Sequence, residues 1–121
     1  MKKRILLIDD QPDFVELIKL RLEANQYEVL TAWDGQEGFK KALSEQPDLI
    51  FLDVMLPQKD GFEVLLELQH HEQTRRIPVI MLTAKAESHS ILHSQKLGAA
   101  DYLIKPVDSQ ELLAVIQRHV S

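Results

Sequence analysis

Cysteine is absent from this sequence of 121 residues, and so are long apolar runs. Without cysteine, disulfides and thiolate metal sites are excluded, and the composition is compatible with a reducing compartment. No segment approaches the roughly 18 apolar residues that cross a bilayer. The basic residues 2–4 precede a short apolar run that ends in acids, which predicts a strand rather than a signal peptide.

Positive charge is also scarce, because 14 lysines and arginines face 19 aspartates and glutamates, for a net charge of -5. This balance offers no basic surface for nucleic acid. A chain of this length is typical of one domain. We therefore expect a single domain over residues 1–121, located in the cytoplasm, with no direct nucleic-acid binding and no membrane insertion.

Strand and helix patterns alternate along the chain, which predicts an α/β fold with a parallel sheet covered by helices on both faces. The strands are expected at 4–8, 27–32, 49–52, 79–82 and 102–104. The first helix is expected at 12–24, and the second runs from an N-cap at Asp34, paired with Glu37, to about residue 44. The third runs from Asp60-Gly61 to about residue 70. The fourth is expected at 87–97 before a C-cap at Gly98, and the fifth begins after a cap at Asp108 or Ser109. The fourth helix has few large apolar residues and should be the most weakly anchored.

Polar residues follow four of the predicted strands at the point where each strand ends. Asp9 and Asp10 follow the first strand, Asp53 the third, Thr83 the fourth and Lys105 the fifth. Ligands of open parallel sheets bind beyond the carboxyl ends of the strands, so these side chains should form one site.

Three carboxylates in one site repel one another unless a cation intervenes. Oxygen ligands without cysteine or histidine favour Mg²⁺ (or Mn²⁺) over zinc. Asp53 could then act as a nucleophile toward phosphorus, with Thr83 and Lys105 holding the phosphoryl oxygens. Taken singly, the acids are more typical of helix caps or turns, the threonine of a cap and the lysine of a solvated charge. Their conjunction on four strand ends favours the site.

Four motifs carry a resemblance to the receiver domain of two-component response regulators, over essentially the whole chain. They are ILLIDD, LIFLDVMLP with DG after it, VIMLTA, and GAADYLIKP. The resemblance implies a flavodoxin-like three-layer sandwich with strand order 2-1-3-4-5 and five helices. It also implies a single-domain chemotaxis-regulator-like switch in a phosphorelay, without substrate turnover of its own.

By the same resemblance, Asp53 is the phosphoacceptor for a sensor histidine kinase or phosphotransfer protein. The metal is held by Asp10, Asp53 and the Met55 carbonyl, with Asp9 acting through water. Thr83 and Tyr102 move together as the switch, Lys105 pairs with the phosphate, and a cis bond precedes Pro106. The output is then expected to be a change in the face made by helix four, strand five and helix five.

The sequence departs from the family pattern at several positions. Gln11 stands where a third acid is often found, which lowers the local negative charge. Met55 and Lys85 offer no carboxylate or amide to orient an attacking water, so we expect a long-lived phosphoryl state. His89 and His93 share a helical face and could bind a metal, although solvated polar residues are the simpler interpretation.

Other functions remain open at this stage. An aspartyl-phosphate phosphohydrolase would want an acid at the position of Met55, flavin binding would want a phosphate loop in place of Asp-Asp-Gln-Pro, and a degenerate receiver would only dock partners. The effector is either a separate protein or a fused output domain, and a phosphorylation-dependent dimer is a further option. The start at Met1 and the lack of a trailing linker slightly favour a stand-alone receiver.

Overall fold

The computed structural model describes residues 2–84 and 88–120, with the side chains of residues 88–90 outside that description. Five parallel strands form one sheet in the order β2-β1-β3-β4-β5. The strands are Arg4–Ile8 (β1), Glu28–Ala32 (β2), Leu49–Asp53 (β3), Val79–Thr83 (β4) and Asp101–Ile104 (β5). The helices are Pro12–Ala24 (α1), Gly35–Glu45 (α2), Gly61–His70 (α3), Ser88–Lys96 (α4) and Ser109–His119 (α5).

The apolar strands are buried on both faces because successive side chains point to opposite sides of the sheet. Ile5 and Leu7 pack in a core with residues of α1 and α5, whereas Leu6 and Ile8 pack in a second core with residues of α2 and α3. This arrangement confirms the predicted three-layer flavodoxin-like fold. Within the described parts of the chain, no helix combines the length and hydropathy needed to span a membrane.

The helix starts follow the predicted caps. Asp34 accepts a hydrogen bond from the Glu37 amide at 2.8 Å, and Asp60 and Asp108 cap α3 and α5 in the same way. One detail differs from the expected reciprocal box, because the Glu37 carboxylate accepts from the Trp33 amide, one residue before the cap. Gly98 follows α4 with φ +102, the left-handed conformation expected of a C-cap glycine.

Several element ends differ from the predicted ones by a residue. Strand β2 begins at Glu28 rather than residue 27, because the Tyr27 amide donates to the Leu22 carbonyl in the last turn of α1. Strand β4 extends to Thr83, whose carbonyl accepts from the Lys105 amide at 2.7 Å. Helix α4 runs over Ser88–Lys96, and its predicted start at Glu87 lies outside the described residues. Such ends depend on neighbouring chain segments, which local patterns do not contain.

The register of the sheet aligns the strand ends that matter for the site. Ile8 pairs with Leu52, so Asp9 and Asp53 emerge at the same level of the central strands. On the next pairs, Asp53 lies opposite Leu82 and Thr83 lies opposite Ile104. Residues distant in sequence therefore reach one carboxyl edge.

Candidate functional site

Three acidic side chains meet at the carboxyl edge of β1 and β3. Asp9, Asp10 and Asp53 each offer a carboxylate oxygen, and these oxygens lie within 4.8 Å of one another. Asp9 is fully buried and Asp53 is 5% exposed, whereas Asp10 is exposed. The structure therefore brings together the three acids that the sequence predicted as a cluster, and this group could hold a metal ion.

The ammonium of Lys105 enters the cluster from the end of β5. Its Nζ lies 2.8 Å from Asp9 Oδ2 and 3.3 Å from Asp53 Oδ2. A shared cation between two buried carboxylates reduces their mutual repulsion, which explains how both fit into a low-dielectric site. The Lys105–Pro106 peptide bond is cis, as expected.

Backbone amides orient the two buried carboxylates. Asp9 Oδ1 accepts from the Gln11 amide at 2.9 Å, and Asp53 Oδ1 accepts from the Met55 amide at 3.0 Å. Each carboxylate thus keeps its Oδ2 atom facing Lys105. Asp9 Oδ2 is buried and forms an ion pair with Lys105. No described residue donates a well-aligned hydrogen bond to this oxygen.

Burial raises the pKa of Asp53, and the neighbouring Asp9 carboxylate raises it further. The Met55 amide and the Lys105 ammonium lower the same pKa, but they do not cancel the increase. Asp53 is therefore a more basic carboxylate than an exposed aspartate.

The acids also fit a hard cation by their chemistry. A buried oxygen without a hydrogen-bond donor has a vacant lone pair, and the described residues of the cluster supply only carboxylates, with no cysteine or histidine. Oxygen ligands of this kind suit Mg²⁺ or Mn²⁺. The residues present therefore fit the predicted metal.

A pocket of about 540 Å³ lies over this edge. Its lining residues are Asp10, Gln11, Phe14, Asp53, Met55, Ala84, Lys105 and Pro106. Thr83 is 8% exposed at the end of β4 and Tyr102 is partly buried against the second core, so neither lines the pocket. The Met55 side chain is 74% exposed at the rim.

Sequence reasoning overlooked one pocket residue and undervalued another. Phe14 is not among the predicted site residues, yet its ring centroid lies 4.3 Å from Lys105 Nζ. Gln11, noted only as a missing acid, accepts from Lys105 Nζ at 2.6 Å. Their spacing of three residues on the first turn of α1 was the available signal, since such pairs share a helical face.

Known proteins resemble the chain in sequence. A family model described as the response regulator receiver domain matches residues 5–117. The alkaline phosphatase synthesis transcriptional regulatory protein PhoP of Bacillus subtilis is 45% identical over 97% of this chain and 48% of its own length. The chain spans about half the length of the curated relatives it matches first.

Solved structures resemble it in fold. The chemotaxis protein CheY4 of Vibrio cholerae superposes with a TM-score of 0.94 at 30% identity, over 99% of this chain and all of that one. The receiver domain of the sensor histidine kinase PA1611 from Pseudomonas aeruginosa, with a magnesium ion coordinated in its active site cleft, gives a TM-score of 0.91 at 33% identity, over 98% of each chain.

Proposed function

The chain belongs to the response regulator receiver family, and from that premise we propose that residues 1–121 form a phosphorylation-operated switch in which Asp53 accepts the phosphoryl group. One observation carries this proposal. The buried Asp53 carboxylate lies in one cluster with the carboxylates of Asp9 and Asp10 and 3.3 Å from the Lys105 ammonium. A nucleophile, a metal-capable acid group and a cation for the phosphate thus occupy one edge.

Asp53 is suited to the nucleophilic role. Its raised pKa makes the ionised carboxylate a stronger base, and the Met55 amide holds Oδ1 in a fixed direction. A carboxylate oxygen attacks the phosphorus of a kinase phosphohistidine, so that a P–O bond forms and the P–N bond breaks. The departing imidazole takes up a proton, and Asp53 becomes an acyl phosphate.

Asp9, Asp10 and Asp53 are the residues that would hold Mg²⁺, together with the backbone carbonyl of Met55. When bound, the ion supplies charge neutralisation for the phosphoryl oxygens. The magnesium ion described in the cleft of the similar Pseudomonas receiver supports this assignment. Asp9, buried beneath the cluster, is assigned the role of orienting metal-bound water.

Lys105 and Thr83 are assigned to the phosphoryl oxygens. Lys105 Nζ already lies beside Asp53 Oδ2, so a phosphoryl group on that carboxylate finds an ammonium at hand. Thr83 ends the neighbouring strand, one residue beyond Leu82, which pairs with Asp53. A short movement of the Thr83 side chain would bring its hydroxyl to the phosphate.

The output is assigned to the face made by α4, β5 and α5. Thr83 is joined to β5 by the Lys105 amide, and Tyr102 lies on that strand, packed against the second core. Helix α4 leaves part of its apolar surface exposed, since Leu92 is 56% exposed. New contacts at Thr83 could therefore shift Tyr102 and α4 between two positions. Amide exchange over residues 88–102 should change when a phosphoryl mimic binds, and unchanged exchange would contradict the assignment.

The phosphoryl state is expected to be long-lived, because Met55 offers no group to orient water at the rim. Lys85, the other position in this argument, lies outside the described residues. A dephosphorylation half-life of only seconds would show that the argument is wrong.

The partners follow from the family. We assign a sensor histidine kinase or phosphotransfer protein as the donor and an effector protein or fused output domain as the target. PhoP of Bacillus subtilis, a transcriptional regulator about twice as long as the matched region, supports a fused output domain as one arrangement. A second copy of the chain, in a phosphorylation-dependent dimer, is a third partner compatible with this function. We assign the chain no substrate turnover of its own.

The experiment that tests the proposal is intact-mass analysis after incubation with acetyl phosphate, with and without Mg²⁺. We expect one added phosphoryl group that requires Mg²⁺ and disappears in Asp53→Asn. The matched control is Asp34→Asn, because asparagine caps a helix as well as aspartate does and should leave phosphorylation intact. Phosphorylation that persists in Asp53→Asn, or that never occurs in the wild type, would overturn the proposal.

A further inference from the structure

Among the residues that the structure describes, the Lys105 ammonium has four close neighbours, and they are of two kinds. Two are the carboxylates of Asp9 and Asp53, at 2.8 and 3.3 Å. The other two are neutral groups on α1 or at its cap, namely Gln11 Oε1 at 2.6 Å and the Phe14 ring at 4.3 Å to its centroid. The ammonium therefore lies between a charged partner set and a neutral one.

The charged set is the one that a divalent cation needs. Asp9 and Asp53 both belong to the acidic group that could hold a metal. A cation among these oxygens repels the ammonium and competes for the same lone pairs. Lys105 must then rely on partners that carry no negative charge.

The neutral set is built to receive it. An ammonium has three donors and no acceptor, so the Gln11 amide oxygen satisfies one donor, while the Phe14 ring attracts the charge with its face. Gln11 is itself held in place, because its backbone amide donates to Asp9 Oδ1 at 2.9 Å. Phe14 packs against the first core, which fixes its ring.

We propose that Gln11 and Phe14 are positioning residues that form a neutral holding site for the Lys105 ammonium and thereby set how strongly Asp9 and Asp53 bind a divalent cation. The inference rests on the proposed function and deepens it. With the carboxylates occupied, the ammonium stays on Gln11 and Phe14, beside the position that the phosphoryl group will take on Asp53.

The test is calorimetric titration of the unphosphorylated protein with Mg²⁺. The neutral partners matter most when the carboxylates are taken, so Gln11→Ala and Phe14→Leu should each raise the dissociation constant about threefold or more. Phe14→Tyr keeps the ring face and should restore wild-type affinity. Gln117→Ala and Phe39→Leu are matched controls on α5 and α2 and should leave the Mg²⁺ dissociation constant unchanged.

The same substitutions are then repeated in a Lys105→Met background. If Gln11 and Phe14 act through the ammonium, their effects on Mg²⁺ affinity disappear there. Unchanged affinity in the single variants, or equal losses with and without Lys105, would overturn the inference. If the double variants do not fold, the test is instead the NMR ring-current shift that the Phe14 ring causes at the Lys105 ε-methylene protons of the wild type. A shift retained at Mg²⁺ saturation supports the holding site, and its loss contradicts it.

The outcome separates this inference from the proposed function. A wild type that neither binds Mg²⁺ nor gains a phosphoryl group refutes the proposed phosphoryl-accepting function itself. A wild type that does both, with Gln11→Ala and Phe14→Leu silent in the titration, refutes only the holding site.

Discussion

Replacing Lys105 by methionine removes the ammonium from between two carboxylates and keeps most of the aliphatic stem. At an effective dielectric of about 20, the 2.8 Å contact with Asp9 and the 3.3 Å contact with Asp53 correspond to attractions of about 6 and 5 kcal/mol. Desolvation of the buried groups offsets much of this. Removing one partner of a buried ion pair nevertheless leaves unpaired charge, so we expect a loss of about 3 kcal/mol in unfolding free energy.

The matched control is Lys59→Met. Lys59 contacts Glu67 at 2.5 Å, but the two side chains are 35% and 36% exposed, whereas that of Lys105 is 14% exposed. Exposed pairs contribute little because water screens them, so the control should lose less than about 1 kcal/mol. Burial rather than distance then accounts for the difference.

The loss should depend on pH in a direction set by Asp53. Lys105 lowers the pKa of Asp53, so its removal raises a pKa that burial and Asp9 have already raised. A raised native pKa contributes stability below the unfolded value and loses it as pH rises through the native value. The deficit of Lys105→Met should therefore be small at about pH 4 and grow toward neutrality.

The assay is urea denaturation followed by circular dichroism, in EDTA and in millimolar Mg²⁺. Since a divalent cation neutralises the same carboxylates, Mg²⁺ should recover much of the loss in Lys105→Met and none in Lys59→Met. A deficit that stays constant from acid to neutral pH, or that ignores Mg²⁺, would refute the electrostatic account.

Three further tests address other parts of the structure, two of them with a control substitution. Because burial and Asp9 raise the pKa of Asp53, Asp53→Asn should raise the melting temperature at neutral pH in EDTA and bring no gain at about pH 4; a lower neutral value would contradict this. A Cβ on Gly61 would lie 2.2 Å from the Asp53 carbonyl oxygen, so Gly61→Ala should cost about 3 kcal/mol in urea titration. The atoms nearest to a Cβ on Gly38 belong to the side chain of Ile8 rather than to backbone, so Gly38→Ala should cost less; equal costs would refute the comparison. Asp108→Ala should lose about 1 kcal/mol by the same assay, with Asp108→Asn retaining the cap of α5.

The parts of the fold that the sequence predicts are those governed by short-range patterns. The buried runs before Asp9 and Asp53 could only be central strands, and Asp34 precedes a helix that its own carboxylate caps. The parallel sheet then aligns the strand ends, so the meeting of the acids follows from topology. This is why the fold and the acidic cluster could both be anticipated.

The contacts of Lys105 could not be predicted in the same way. Its partners Gln11 and Phe14 are more than ninety residues away in sequence, and which side chain the ammonium meets depends on the turn after β5 and on the packing of α1. A helical stripe identifies Phe14 as apolar but does not indicate that a cation lies over its ring. The predicted start of β2 at residue 27 is wrong for a related reason, since the Tyr27 amide donates to the Leu22 carbonyl of α1 rather than to a strand.

The charge of the site explains why a neutral residue at position 11 matters. Three carboxylates and one ammonium leave two negative charges, which one divalent cation balances. A phosphoryl group on Asp53 brings about two negative charges and removes the charge of the carboxylate to which it is joined, a net gain of about one negative charge. Lys105 is the one cation among the described residues lining the pocket. A carboxylate in place of Gln11 would compete with the phosphate for that ammonium, whereas an amide holds it and releases it at lower cost. The glutamine therefore keeps Lys105 close to Asp53 without neutralising it, so that its charge is still available when the phosphoryl group arrives.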